Sequence, residues 1–273
     1  MNYPLQYFAA RIGGDRVDAT LPAIAGDPAN WQPVAADIAE YQAADLVLLN
    51  GANYAKWVGT ATLPTSRLVD TSAGFADRLI TVEGTVTHSH GPEGDHSHGE
   101  TAVTTWLDPK LAAEQARAIH RALVAASPFD AAAFDAGLAS LESDLDALDL
   151  RLKEVFGGGV AEALIGSHPV YQYLAAAYGV DIPSVHLEPD QPPTQREWQG
   201  LEEAIAERDV VVMLWEGTPA AETRERIEAW GVAVSVYDPS ANTPDSGDWL
   251  SVMTANAESL ASSLERMAPP GTP

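Results

Sequence analysis

No cysteine occurs in the 273 residues, which excludes disulfides, thiolate metal sites and thiol catalysis. The strong metal donors left to the chain are histidine and the carboxylates. Basic residues are also scarce: 15 Lys+Arg stand against 39 Asp+Glu, for a formal net charge of -24. Such a surface attracts cations and repels a phosphate backbone, so nucleic acid is disfavoured as a partner. The same excess suits simple solubility or a salty medium, and charge alone assigns no function. No apolar run approaches the roughly 20 residues that a bilayer helix needs. Enzyme signatures are missing too. There is no His-Glu-x-x-His helix, no Gly-x-Ser-x-Gly elbow, no phosphate loop with Gly-Lys-Ser/Thr, and no Gly-x-Gly-x-x-Gly opening a helix after a strand. The chain is therefore not expected to be an enzyme.

What is present alternates. Apolar runs of strand length are followed by segments of helical period, the pattern of βαβ units and parallel sheets, so the fold class is α/β. In the first half the pattern predicts a helix over Leu5–Ile12, a strand near Val17–Leu21 and a helix after Pro33. A strand at Asp45–Leu49 ends on Asn50-Gly51, and a short one follows near Leu68-Val69. Residues 84–104 read as a loop, after which Asp108-Pro109 starts a helix as N-cap and first helical residue. From Pro128 to Phe156 the apolar positions Phe134, Leu138, Leu141, Leu145, Leu148 and Leu152 step by four and three, so one long helix is expected. The second half repeats the alternation: strands at Ala163–Ile165, Asp181–Val185, Val210–Trp215 and Ala233–Tyr237, and helices at Tyr171–Tyr178, Thr194–Arg208, Ala220–Trp230 and Trp249–Met267. The expected architecture is two lobes, residues 1–127 and 157–273, each with a central parallel sheet and joined by the long helix 128–156.

Two features carry chemistry. His88, His90, His96 and His98 fall within eleven residues, and a His-x-His pair in extended chain turns both imidazoles to one side, where they can share a cation. The plainer reading is a solvated tract that gathers ions loosely. Separately, His168, Glu216 and Asp238 each follow a predicted strand, and ligands of open parallel sheets bind beyond the carboxyl ends of strands. For these the plainer reading is local: His168 precedes Pro169 and caps a helix, and Asp238-Pro239 forms a turn. His186 also lies at a strand end and reads as a buried or supporting histidine, and His120 as an ordinary helix residue.

Ala44-Asp45-Leu46-Val47-Leu48-Leu49-Asn50-Gly51, Trp106-Leu107-Asp108-Pro109, Ser167-His168-Pro169 leading into Tyr171–Gly179, and Tyr237-Asp238-Pro239 resemble, in order and spacing, the zinc- and manganese-specific solute-binding proteins of bacterial ABC importers. The resemblance covers nearly the whole chain. It implies two lobes joined by a long helix, with the metal held between them. It also implies ligands just after Asn50-Gly51 and two residues before Trp106, besides His168 and Asp238. This chain has Asn53 and Thr104 at the first two places, and neither is a good zinc ligand. Histidines of the 88–98 insert are the expected replacements; if the insert only gathers ions, Glu216 or His186 must complete the site, or tight binding is lost.

The function implied is capture of Zn2+, with Mn2+ or another divalent ion as the alternative, for an ABC permease. A metallochaperone is a second candidate partner, and a monomer is expected. The location implied is periplasmic or that of a cell-surface lipoprotein. Met1-Asn2-Tyr3-Pro4 shows neither a basic nor an apolar signal region, so an export signal is expected to have been removed. Competing readings are a secreted metal buffer or adhesin-like protein and, third, a metal-dependent hydrolase using Glu216 as general base.

Overall fold

A computed structural model describes residues 1–24, 26–82, 100–158, 164–187 and 191–267. The insert histidines His88, His90, His96 and His98 lie outside the described residues.

The first half contains α1 (Tyr3–Gly13), α2 (Ala35–Ala43), β1 (Val47–Leu49), β2 (Leu68–Asp70), β3 (Thr81–Val82), β4 (Glu100–Thr101) and α3 (Pro109–Ala126). β1 and β2 pair in parallel, as the alternation predicts, whereas β3 and β4 form an antiparallel ribbon, Val82 opposite Glu100, which the pattern did not suggest. Two residues per strand are too few for periodicity to reveal. α3 begins as expected, with the Asp108 carboxylate accepting from Lys110 N–H at 2.8 Å and Pro109 in the first turn. The expected strand over Val17–Leu21 is not formed. The segment makes no ladder there: Gln6 Nε2 holds the Ala19 carbonyl at 2.9 Å, and Val17–Leu21 line a groove of about 940 Å3 together with residues of β1.

The long helix is α4 (Ala131–Phe156), preceded by a 3-10 turn at Pro128–Asp130. Phe134, Leu141, Leu145, Leu148 and Leu152 are buried on it, as their spacing predicts, and Leu138 is partly buried. The face they form joins the two halves: one continuous core runs from Leu5 and Phe8 of α1 through Leu145 and Leu152 to Tyr171, Val212 and Trp249. Among the described residues no single helix is long and apolar enough to cross a membrane.

In the second half β5 (Leu164–Gly166), α5 (Gln172–Tyr178), α6 (Gln195–Arg208), β6 (Val212–Trp215), α7 (Ala221–Glu228), β7 (Ala233–Val236) and α8 (Trp249–Met267) follow in the predicted order. The three strands form one parallel sheet, with Leu164, Val212 and Ala233 in one row. Side chains of successive residues alternate across it. Leu164, Val212, Leu214 and Ala233 enter the core shared with α4, while Ile165, Met213, Trp215 and Val234 enter a second core with Trp198, Leu201 and Ile227. Both faces are therefore covered, and the strands read as unbroken apolar runs, as parallel strands do. α6 starts on a capping box, Thr194 N–H to Glu197 Oε2 at 2.7 Å and Glu197 N–H to Thr194 Oγ1 at 3.4 Å. The strand expected at Asp181–Val185 shrinks to a single parallel bridge between Ser184 and Gly166, since Pro183 has no N–H to extend the ladder.

Candidate metal centre

β5, β6 and β7 end on one side of the sheet, and the predicted second-half residues follow directly from them. Ser167 is fully buried after β5. Its N–H donates to the Leu214 carbonyl at 2.8 Å, and its hydroxyl accepts from Glu216 N–H at 3.1 Å. Gly166 pairs with Leu214, so two residues further along each strand stand His168 and Glu216. After β7, Tyr237 N–H donates to the Trp215 carbonyl, and Asp238 is clamped by Asn256 of α8, which accepts from Asp238 N–H at 3.0 Å and donates to its carbonyl at 2.7 Å. Burial, then the Glu216 and Asp238 carboxylates among its neighbours, push the Tyr171 phenol well above its usual range, so it stays neutral. Tyr171 Oη in turn donates to the Tyr237 carbonyl at 3.0 Å.

His168 is half-buried, and its Nδ1 is fully shielded with no hydrogen-bond partner. Leaving a shielded acceptor or donor unpaired costs about 1–3 kcal/mol. A cation bound through that nitrogen would supply the missing partner, so the residue fits a metal. Its ring lies edge-on to that of His186, centroids 5.7 Å apart.

The first half meets this place through its own motifs. Trp106 Nε1 donates to the Pro239 carbonyl at 2.7 Å, so the Trp-Leu-Asp-Pro and Tyr-Asp-Pro segments, far apart in sequence, touch. Thr104 is buried and donates to the Val170 carbonyl at 2.5 Å, two residues from His168. The ribbon that bounds the insert is fixed nearby as well: Tyr173 Oη of α5 accepts from Ile80 N–H at 3.2 Å and donates to the Ala102 carbonyl at 3.1 Å.

The turn after β1 is tense. Gly51, Ala52 and Asn53 follow one another at φ of 76°, 49° and 59°. Only the glycine adopts that region without penalty, and a side chain on it would strike Ser72 and Asp70. Asn50 holds the turn, accepting from Asn2 and Gln115 Nε2 at 3.2 Å each and donating to the Val103 carbonyl at 2.9 Å. The outcome is that Asn53 points outward and exposed while Tyr54 is buried against Trp106, its hydroxyl without a hydrogen-bond partner. Burial, then the carboxylates of Asp27 and Glu216, push the Tyr54 phenol well above its usual range, so it stays neutral.

His168, Glu216 and Asp238 thus share one edge of the sheet, but among the described residues no three His, Asp or Glu side chains are grouped closely enough to hold a metal by themselves. His120, set aside as an ordinary helix residue, binds Asp135 at 2.7 Å between α3 and α4.

Comparison with known proteins gives the family. A family model described as the periplasmic zinc-uptake complex component A, ZnuA, matches residues 2–263. The chain belongs to this family. It is 25% identical over 280 residues to the zinc-binding lipoprotein AdcA of Streptococcus pneumoniae, covering 98% of this chain and 55% of AdcA. It is 26% identical over 273 residues to the high-affinity zinc uptake system protein ZnuA of Bacillus subtilis, covering 96% and 85%. Its fold matches the crystal structure of the Zn(II)-bound ZnuA-like domain of pneumococcal AdcA with a TM-score of 0.81 at 21% identity, over 96% of each chain. The chain spans about half the length of the AdcA relatives it matches. Two-lobed architecture and the long connecting helix are therefore those of the ZnuA fold.

The Asp238 carboxyl costs the folded chain stability where it stands. Burial raises its pKa, with the Ser240 N–H bond at 2.7 Å opposing. A carboxyl whose folded-state pKa lies above its unfolded value costs stability at every pH above that folded value, and the cost fades as pH falls to the unfolded one. Asp238→Asn keeps an oxygen for Ser240 and removes the charge. The metal-free variant should therefore melt no lower than the parent at neutral pH, with any gain disappearing near pH 4, where aspartate protonates in the unfolded chain too. Its zinc-induced rise in melting temperature should shrink. Thermal melts with and without zinc at the two pH values check both halves.

Proposed function

We propose that this chain captures Zn2+ in the cleft between lobes formed by residues 1–127 and 157–273, and delivers it to an ABC permease. The observation that carries the reading is the shielded, partnerless Nδ1 of His168 at the carboxyl edge of a parallel sheet, beside the Glu216 and Asp238 strand ends. His168 and Asp238 supply donors from the second lobe, with Glu216 a further candidate. Histidines among His88, His90, His96 and His98 supply the donors that Asn53 and Thr104 do not. The described stalk of the insert supports that assignment, because Tyr173 and Thr104 tie it to the segment that carries His168. Imidazoles with one or two carboxylates favour zinc over manganese, whose sites take more oxygen. The relatives that are named as zinc-binding lipoproteins and zinc-uptake components support the same cargo, an extracytoplasmic location and a transport rather than catalytic role.

Zinc bound only by the folded state stabilises it by mass action, by about 4 kcal/mol at a thousandfold excess over Kd. For a chain of this size such a gain raises the melting temperature by about 8–16 °C. A melting curve unmoved by saturating zinc would remove the proposal.

A further inference from the structure

The sequence reads His186 as a buried or supporting histidine at a strand end, whereas the fold leaves it exposed and sets it beside His168. Gly166 N–H donates to the Pro183 carbonyl at 2.8 Å and Val185 N–H to the Gly166 carbonyl at 3.0 Å, which fixes the parallel bridge between Gly166 and Ser184. Leu187 N–H then donates to the Ser167 carbonyl at 2.8 Å, so residues 184–187 stay alongside the end of β5. Close approach makes this possible: a side chain at Gly166 would meet Ser184 Oγ at 2.6 Å and the Tyr171 ring at 2.8 Å. The consequence is an imidazole pair, centroids 5.7 Å apart and nearly perpendicular, at the outer margin of the sheet's carboxyl edge.

The pair differs from two packed aromatic rings. His186 is exposed, so its position is not explained by burial of apolar surface. His168 brings a shielded nitrogen that no group in the protein satisfies. Two imidazoles this close, one with an unmet nitrogen and both at the end of the sheet where Glu216 follows β6, are donors suited to a borderline divalent cation. Resting on the reading that the protein binds zinc, we infer that His186 is a second imidazole ligand, holding the ion jointly with His168 at the margin of the cleft. This adds one nitrogen donor to those that the second lobe itself supplies.

The test uses His186→Ala and His186→Gln in the full chain, the second keeping bulk and hydrogen-bonding capacity but no imidazole nitrogen. Because His186 is exposed, both variants should melt like the parent without metal. Zinc affinity is read by competition with a chromophoric chelator, and the donor set by the visible absorption of bound cobalt(II), which responds to loss of a ligand. Both variants are expected to bind zinc at least about 10-fold more weakly, with an altered cobalt spectrum. A smaller loss in either variant, or an unaltered spectrum, overturns the inference while tight zinc binding by the parent still stands. If the parent itself takes no zinc from the chelator, the underlying reading fails, and the two failures are told apart in one experiment.

Discussion

Replacing His168 with alanine is expected to abolish tight zinc binding. Binding free energies of about 10–16 kcal/mol for four-donor zinc sites put each donor near 3 kcal/mol, so one lost imidazole weakens binding by about 100-fold or more. Competition with a chelator measures the loss directly. The stability of the metal-free protein should respond in a different direction. His168 Nδ1 makes no hydrogen bond, so its removal takes away an unmet polar atom rather than a supporting contact, and the metal-free variant should melt close to the parent. A His168→Ala chain that retains parental affinity, or one that unfolds without metal, would assign this histidine a purely structural role.

Replacing His88, His90, His96 and His98 together should have an effect at least as large. Of the places where the resemblance puts first-lobe ligands, Asn53 turns outward and Thr104 spends its hydroxyl on the Val170 carbonyl. The second lobe is then left to hold the ion without first-lobe help, and loss of two donors at about 3 kcal/mol each lowers affinity by about 10 000-fold. If the insert only gathers ions, the weak additional sites vanish while one zinc is still held with parental affinity. That result would move the first-lobe donors elsewhere in the chain.

Most of the fold was legible because burial wrote it into the sequence. α4 follows from the four-and-three spacing of Phe134 to Leu152, and β5, β6 and β7 from runs buried on both faces. α3 was bounded by its cap, Asp108-Pro109. What failed depended on pairing rather than on pattern. Val17–Leu21 has the alternation of a strand but pairs with no strand, and Asp181–Val185 is cut to one bridge by Pro183. The positions of the candidate residues were legible in part. Strand ends pointed to His168, Glu216 and Asp238 because a parallel sheet gathers its carboxyl ends on one edge. The nearness of His186 to His168 depends on a register offset of eighteen residues, fixed by the Gly166–Ser184 bridge, and no local spacing encodes it. Likewise the burial of Tyr54 instead of Asn53 follows from three successive positive φ angles, of which only Gly51 gives a hint in sequence.

The central claim is that one edge of this ZnuA-family chain is built to hold a single zinc ion. A titration of the metal-free protein with zinc, at neutral pH and in the presence of a chromophoric chelator of about micromolar affinity, tests it most directly. The account predicts that the first equivalent of zinc per chain goes to the protein and leaves the chelator uncoloured, with further equivalents divided between the chelator and weaker sites. Colour that develops in full from the first addition would contradict it.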